Sequence, residues 1–343
     1  MSVPTAPLTP AASLVSDRPT PADLDGTGRG PAGPATVRRL AVIGCGLMGG
    51  SFALALRAAG LVREIVGHAR SPQTLAYARE HGVIDVAAPT AGAAVAGADL
   101  VLLAVPVAAT EPTLRAIRPH LAADAWLMDV GSTKGDVVAA ARAALGDRLP
   151  RFVPAHPIAG KERAGVEHAS ADLYRGCQVI LTPLAETDPT LPPRATALWR
   201  ALGARVRTMS PEAHDAAYAA VSHLPHLLAF AAVHALAQQA DGTAYLRLAG
   251  PGFRDFTRIA ASDPDVWRDI LLANAAQVRA QAAHFRAALD TFEAALATGD
   301  AAALRDLIAA ASRIRADWAA GAAATAPSDD TPCTAPPSST SPR

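Results

Sequence analysis

The chain has 343 residues, half of them apolar, with 31 Lys plus Arg balanced by 31 Asp plus Glu. That length can hold two domains and a large core. The even charge excludes both the basic field of a nucleic-acid binder and a long acidic tail, so a small-molecule partner is expected. Three cysteines, Cys45, Cys177 and Cys333, show no paired or metal-like spacing; they are expected as unpaired thiols in a reducing compartment, and no metal site is expected.

In chain order, residues 1–37 are rich in Pro, Ala, Thr and Gly, with neither a basic start nor an apolar core, so they read as a disordered tail and not as a signal peptide. The apolar run 40–43 then feeds a G-x-G-x-x-G turn made of Gly44, Gly46 and Gly49, followed by the helix-like 51–57. Gly44 permits a tight strand exit, Gly46 lets backbone approach a pyrophosphate, and Gly49 brings helix close to strand. The helix N-terminus adds unpaired N–H donors, and Leu47 and Met48 lie within the same cradle. The spacing alone is weak, but a strand before it, a helix after it and a second strand at 64–67 make it a dinucleotide site.

Roughly twenty residues beyond the turn the fingerprint expects an Asp or Glu for the ribose hydroxyls. This chain has Ala69, then Arg70 and Ser71. A guanidinium pairs with a 2′-phosphate that a carboxylate would repel, so NADP is favoured, with NAD as the alternative. Ser71 ahead of Pro72 also reads as a helix cap, and the two roles are compatible.

Helical and strand patterns then alternate: helix 72–81, strand 83–85, a buried strand 99–105 that ends at Val105 and Pro106, helix 109–117, and strands at 125–130, 151–154, 178–182 and 204–207, with helix 195–202 between the last two. This predicts an α/β Rossmann-like doubly wound sheet over 38–208. From Ser210 the strands cease. Helical periods through 240, 265–298 and 301–318 predict an all-α domain over 209–322, with a second disordered tail at 323–343. The stretch 216–237 lacks Lys, Arg, Asp and Glu over a membrane-spanning length, yet it contains three histidines, a serine and a proline. A buried helix is expected there, not a membrane span.

In such sheets ligands bind beyond the carboxyl ends of the strands, which directs attention to four segments. Gly131 and Ser132 follow the strand 125–130; a hydroxyl there either caps a helix or orients a catalytic base. His156 follows the strand 151–154 and titrates in the range a general base needs. Ser222 and His226 share a helical face, with Pro225 expected to kink the helix between them. Arg258, in a glycine-rich apolar setting, can grip a carboxylate or pair with Asp255.

Residues 44–51, 156–160, 222–226 and 253–260, in this order over 38–318, resemble the prephenate dehydrogenase family, which includes arogenate and cyclohexadienyl dehydrogenases. The resemblance implies oxidative decarboxylation of prephenate to 4-hydroxyphenylpyruvate with reduction of NAD(P), with arogenate as a further candidate substrate. It implies that His156 takes the proton of the ring hydroxyl, that Ser132 orients it, and that Arg258 anchors a carboxylate. His226, Ser222, Lys161 and Glu162 are implied on the substrate side. It also implies a cytoplasmic homodimer formed through the helical domain. The competing expectations are a β-hydroxyacid dehydrogenase or imine reductase, and a dinucleotide-binding regulator without chemistry.

Overall fold

The computed structural model describes residues 36–161 and 163–324. Strand β1 (Val37–Ile43) leads into helix α1 (Leu47–Ala58), and the alternation continues through β2 (Val62–His68), α2 (Pro72–Glu80), β3 (Val86–Ala87), α3 (Ala91–Val95), β4 (Leu100–Leu103), α4 (Thr110–Ile117), β5 (Trp126–Asp129), α5 (Gly135–Leu145) and β6 (Phe152–Val153). The six strands are parallel and ordered β3-β2-β1-β4-β5-β6. Every residue of β4 and β5 is buried, which is why these strands read as unbroken apolar runs. One face packs Phe52, Leu56, Trp126, Tyr174 and Trp199; the other packs Val101, Leu103, Leu114, Ile117, Leu127 and Leu145.

The later strands depart from a single sheet. Strands β7 (Ala155–Ile158), β8 (Gln178–Leu181) and β9 (Arg205–Thr208) form a separate three-stranded sheet, with β7 antiparallel to β8 and β9 parallel to it. The expected strand 151–154 is split at Pro154. Proline brings no N–H to a ladder, and its carbonyl accepts the Thr182 N–H at 2.9 Å, so the chain changes sheets there. Helix α6 (Leu191–Ala201) packs against this second sheet.

From Pro211 the described chain is helical. Helix α7 (Pro211–Tyr218), a π-helical turn (Ala219–His223) and α8 (Leu224–Ala237) run on as one helix, followed by α9 (Gly242–Arg247), α10 (Pro251–Thr257), α11 (Pro264–Ala273), α12 (Ala275–Thr298) and α13 (Ala301–Ala324). Pro225 stands in the first turn of α8, and the π turn just before it takes up the irregularity that was expected as a kink. By length and composition Pro211–Ala237 could cross a membrane, and it is less buried than expected: His214, Asp215 and His223 are buried in the protein, but within α8 only Leu224 and Ala229 are.

The expected helix 265–298 is broken at Asn274. This buried residue leaves helical geometry (φ −109°, ψ 27°), and its Nδ2 donates to the Asp215 carbonyl at 2.8 Å and to His223 Nδ1 at 3.1 Å. The stretches expected as tails lie almost wholly outside the described residues; β1 starts at Val37 and α13 reaches Ala324, so structure extends slightly into both. Cys45 is a buried free thiol, whereas Cys177 is disulfide-bonded, against the expectation of an unpaired thiol; Cys333 lies outside the described residues.

Replacing Asn274 with Ala strands a buried carbonyl and an imidazole nitrogen. Asn274→Ala should lower unfolding free energy by about 1–3 kcal/mol, read from the midpoint of a urea titration; an unchanged midpoint would show that these bonds hold nothing together.

Candidate active site

The glycine turn joins β1 to α1 at the point where strand order reverses between β1 and β4. Gly44 adopts φ +101°, and a side chain there would meet the Ala104 carbonyl at 2.3 Å. A Cβ on Gly49 would fall 2.1 Å from the Gly44 carbonyl, so only glycine lets the helix sit this close. Gly46 faces open space, with nothing within 4 Å of its missing Cβ, and it starts α1 without a side-chain cap. An uncapped helix N-terminus above an open glycine fits a pyrophosphate.

Leu47 and Met48 form the first turn of α1, where the Met48 carbonyl accepts the Tyr174 hydroxyl at 2.7 Å. Val105 and Pro106 follow β4. Gly131 follows β5, its N–H held by Asp129 Oδ2 at 2.8 Å. At the end of β2, Ala69 replaces an acid, and Ser71 caps α2 by accepting the Thr74 N–H at 3.2 Å. Arg70 is exposed and forms no ion pair among the described residues.

His156 lies one residue beyond Ala155, the first residue of the second sheet, and is buried. Its Nδ1 lies 2.8 Å from His214 Nε2, and His214 Nδ1 lies 2.8 Å from Asp215 Oδ1. The Asp215 carboxylate also accepts the N–H groups of Lys134 and Gly135, each at 2.8 Å, at the start of α5. These bonds fix the tautomers. A carboxylate only accepts, so His214 Nδ1 carries the hydrogen, His214 Nε2 accepts, and His156 Nδ1 donates. The lone pair of His156 is thereby left on Nε2, ready to take a proton.

Electrostatics hold His156 in that neutral form. Burial first, then His214, Lys134 and His223, lower its pKa well below the usual imidazole value. His214 is also lowered, by burial foremost, with Asp215 opposing. Burial works to raise the Asp215 carboxyl, but the bonds from His214, Lys134 and Gly135 outweigh it and the group ends below its ordinary value. Ser132 is half-buried and makes no hydrogen bond among the described residues, and the side chain bonded to His156 is His214. Neither His214 nor Asp215 stood out in the sequence as a partner of His156. His214 lies 58 residues from His156, and the one local signal was a histidine adjacent to an aspartate early in a helix.

The π turn and α8 carry Ser222 and His226. His226 Nδ1 donates to the Ser222 carbonyl at 2.9 Å, and its ring stacks on Trp267 of α11 with centroids 3.5 Å apart and planes 18° apart. Burial lowers the His226 pKa, the bond to Ser222 opposes this, and the charge of Arg258 lowers it further, which puts Arg258 in electrostatic range of this ring. Arg258 opens a 3-10 turn after α10 that packs against α8. The Lys161 ammonium donates to the His168 carbonyl at 2.7 Å, and Glu162 lies outside the described residues. Trp267 carried no signal in the sequence beyond helical spacing. His223, bonded to Asn274, is pushed down to about 4, chiefly by burial, and belongs to the scaffold. Among the described residues no cluster of three His, Cys, Asp or Glu could hold a metal ion.

Two family models match the chain, the nucleotide-binding domain of prephenate dehydrogenase over residues 52–208 and its dimerization domain over 210–310. The chain is 36% identical over 242 residues to a cyclohexadienyl dehydrogenase of Zymomonas mobilis, covering 69% of this chain and 81% of that one. It is 37% identical over 237 residues to a prephenate dehydrogenase of Bacillus subtilis, covering 68% of this chain and 64% of the relative. Among solved structures, prephenate dehydrogenase from Aquifex aeolicus in complex with hydroxyphenyl propionate and NAD+ superposes with a TM-score of 0.77 at 35% identity, over 82% of this chain and 98% of that one. Arogenate dehydrogenase from Synechocystis superposes with a TM-score of 0.70 at 27% identity, over 82% and 99%.

The lowered histidines make stability depend on acid. Their folded pKa values lie below the unfolded value of about 6.5, so the unfolded chain binds more protons in that window and stability falls as pH drops through it. Urea midpoints at successive pH values should be level above about pH 7.5 and decline steadily below about 6.5. A profile level down to about pH 5 would mean that these rings titrate normally.

Proposed function

The chain belongs to the prephenate dehydrogenase family, and from that membership we propose that His156 is the general base with which it converts prephenate to 4-hydroxyphenylpyruvate and carbon dioxide, reducing a nicotinamide dinucleotide. The observation that carries this reading is the tautomer chain His156–His214–Asp215, which leaves a proton-accepting nitrogen on a buried ring.

In this reading His156 Nε2 accepts the proton of the ring hydroxyl as the hydrogen on the same carbon departs as hydride. The dinucleotide, bound at the glycine turn, supplies the hydride acceptor. His156 becomes a cation at that moment, and its Nδ1–H, directed through His214 to the Asp215 carboxylate, spreads the charge. The ring oxygen, now a ketone, draws the electron pair of the bond to the departing carboxylate. Carbon dioxide leaves, the ring becomes aromatic, and His156 returns its proton to the phenolic oxygen. Arg258 holds a substrate carboxylate with its planar fork, while His226, flat against Trp267, presents Nε2 beside it. Ser222, Lys161 and Glu162 are proposed as further substrate contacts, and Ser132 as a further partner of the base.

The cradle comprises Gly44, Gly46, Leu47, Met48, Gly49, Val105, Pro106 and Gly131 in a dinucleotide-binding part over 38–208. Arg70, exposed and without an ion pair among the described residues, supports NADP as the preferred form. The helical part over 209–322 exposes Leu272, Leu289, Leu296, Ile308 and Ile314, which supports a homodimer joined there. A cytoplasmic location accords with the proposed biosynthetic role.

The test is a spectrophotometric assay with prephenate and arogenate, each with NADP and with NAD. Reduced dinucleotide formed from prephenate, faster with NADP, is expected; activity with arogenate alone would move the substrate, and silence with all four pairs would overturn the reading. In an active preparation His156→Asn should cut kcat by about 100-fold to 10,000-fold with dinucleotide affinity kept, and near-normal turnover would remove His156 from the mechanism. Arg70→Ala should raise KM for NADP about 10-fold or more and leave KM for NAD in place; equal effects on both would dismiss the 2′-phosphate contact.

A further inference from the structure

Lys134 is wholly buried, where a lysine is rarely found without a partner. Its ammonium pairs with the buried Asp129 carboxylate and donates to the Ala155 carbonyl at 2.7 Å. Asp129 Oδ1 in turn accepts the Ala155 N–H at 2.9 Å. Both peptide groups of Ala155 are therefore taken up by this pair, at the residue where the chain has just left one sheet for the other. The side chains of the β5 end stand in for the neighbouring strand that Ala155 lacks on that side. The backbone of the same residue serves the opposite end of the base assembly, because Lys134 N–H and Gly135 N–H grip the Asp215 carboxylate. Lys134 thus fastens the residue before His156 through its side chain and the terminal acceptor of the His156–His214–Asp215 chain through its backbone.

We propose that the buried Lys134–Asp129 pair is the positioning device of this active site, setting the distance between the strand that carries His156 and the carboxylate that ends its hydrogen-bonded chain. This rests on the reading of His156 as the base. A buried ion pair adds little net stability, since desolvation offsets the attraction, so its contribution here is geometric. Its charge acts in the same sense. The groups facing His156 are His214 and Tyr218 from α7, Lys134 from the loop after β5, and His223 from the π turn. After burial and His214, Lys134 is what keeps the ring neutral, and it lowers His214 as well.

Two variants of the full-length protein test this: Lys134→Met, and the double variant Lys134→Met with Asp129→Asn, which leaves no unpaired buried charge if the single variant fails to fold. Folding is checked by near-UV circular dichroism and dinucleotide binding by fluorescence. Expected is a kcat lower by about 10-fold to 100-fold, as for a base displaced by a fraction of an ångström, with KM for the dinucleotide within about twofold of wild type. In Lys134→Met the His156 ring, followed by nitrogen NMR of histidine-labelled protein without substrate, should titrate at higher pH than in wild type. A folded variant of either kind with wild-type kcat and an unmoved His156 titration overturns the proposal. The NMR arm needs no turnover, so a wild-type protein inactive on prephenate would defeat the functional reading while the titration still reported on Lys134.

Discussion

The chain of hydrogen bonds from His156 through His214 to Asp215 is the constraint on which the rest of the site depends. Each link fixes the next because a carboxylate can only accept, and the consequence emerges at the far end as a lone pair on His156 Nε2. The anchor of the series is not on the element that carries the base. Asp215 stands on α7, in the helical part, and its carboxylate closes the N-terminus of α5, in the sheet-bearing part. A helix start provides N–H groups with no partner in the helix and favours negative charge, so a capping bond also becomes the reference point for the tautomer of His156.

Burial gives this arrangement its electrostatic character. Four histidines are pushed down mainly by loss of water, and in each case bonds or neighbouring charges decide how far. His223 and Asn274 show the structural use of the same physics. The imidazole accepts one hydrogen of the Asn274 amide, the Asp215 carbonyl accepts the other, and α11 and α12 are broken so that the amide can reach both. The result is that Asp215 is held twice, by its side chain at the start of α5 and by its backbone at Asn274.

The glycine turn was legible in the sequence because its logic is local: Gly44 and Gly49 leave no room for a Cβ between the strand exit and the helix, and Gly46 between them keeps the helix start open. The parallel sheet was legible because strands buried on both faces read as apolar runs. The partner of His156 was not legible. Ser132 sits at a strand end where a hydroxyl is plausible, whereas His214 reaches the base only after the chain has passed through a second sheet. The division into two sheets escaped for a related reason, since strand periodicity does not say which ladder a strand joins, and Pro154 was the one residue that marked the change. Asn274 was hidden within a long helical period that runs through it, because periodicity registers a face and not the single polar residue that interrupts it.

The break at Pro154 separates two tasks that the chemistry requires together. The glycine cradle is mounted on the six-stranded sheet, and His156 is mounted on the three-stranded one, with no ladder hydrogen bond continuing between them across that proline. The site is therefore modular. Changes in the smaller sheet, or in the helices packed on it, can alter the surroundings of His156 without touching the glycine turn, while the Asp129 and Lys134 side chains remain the tie between the two sheets at Ala155.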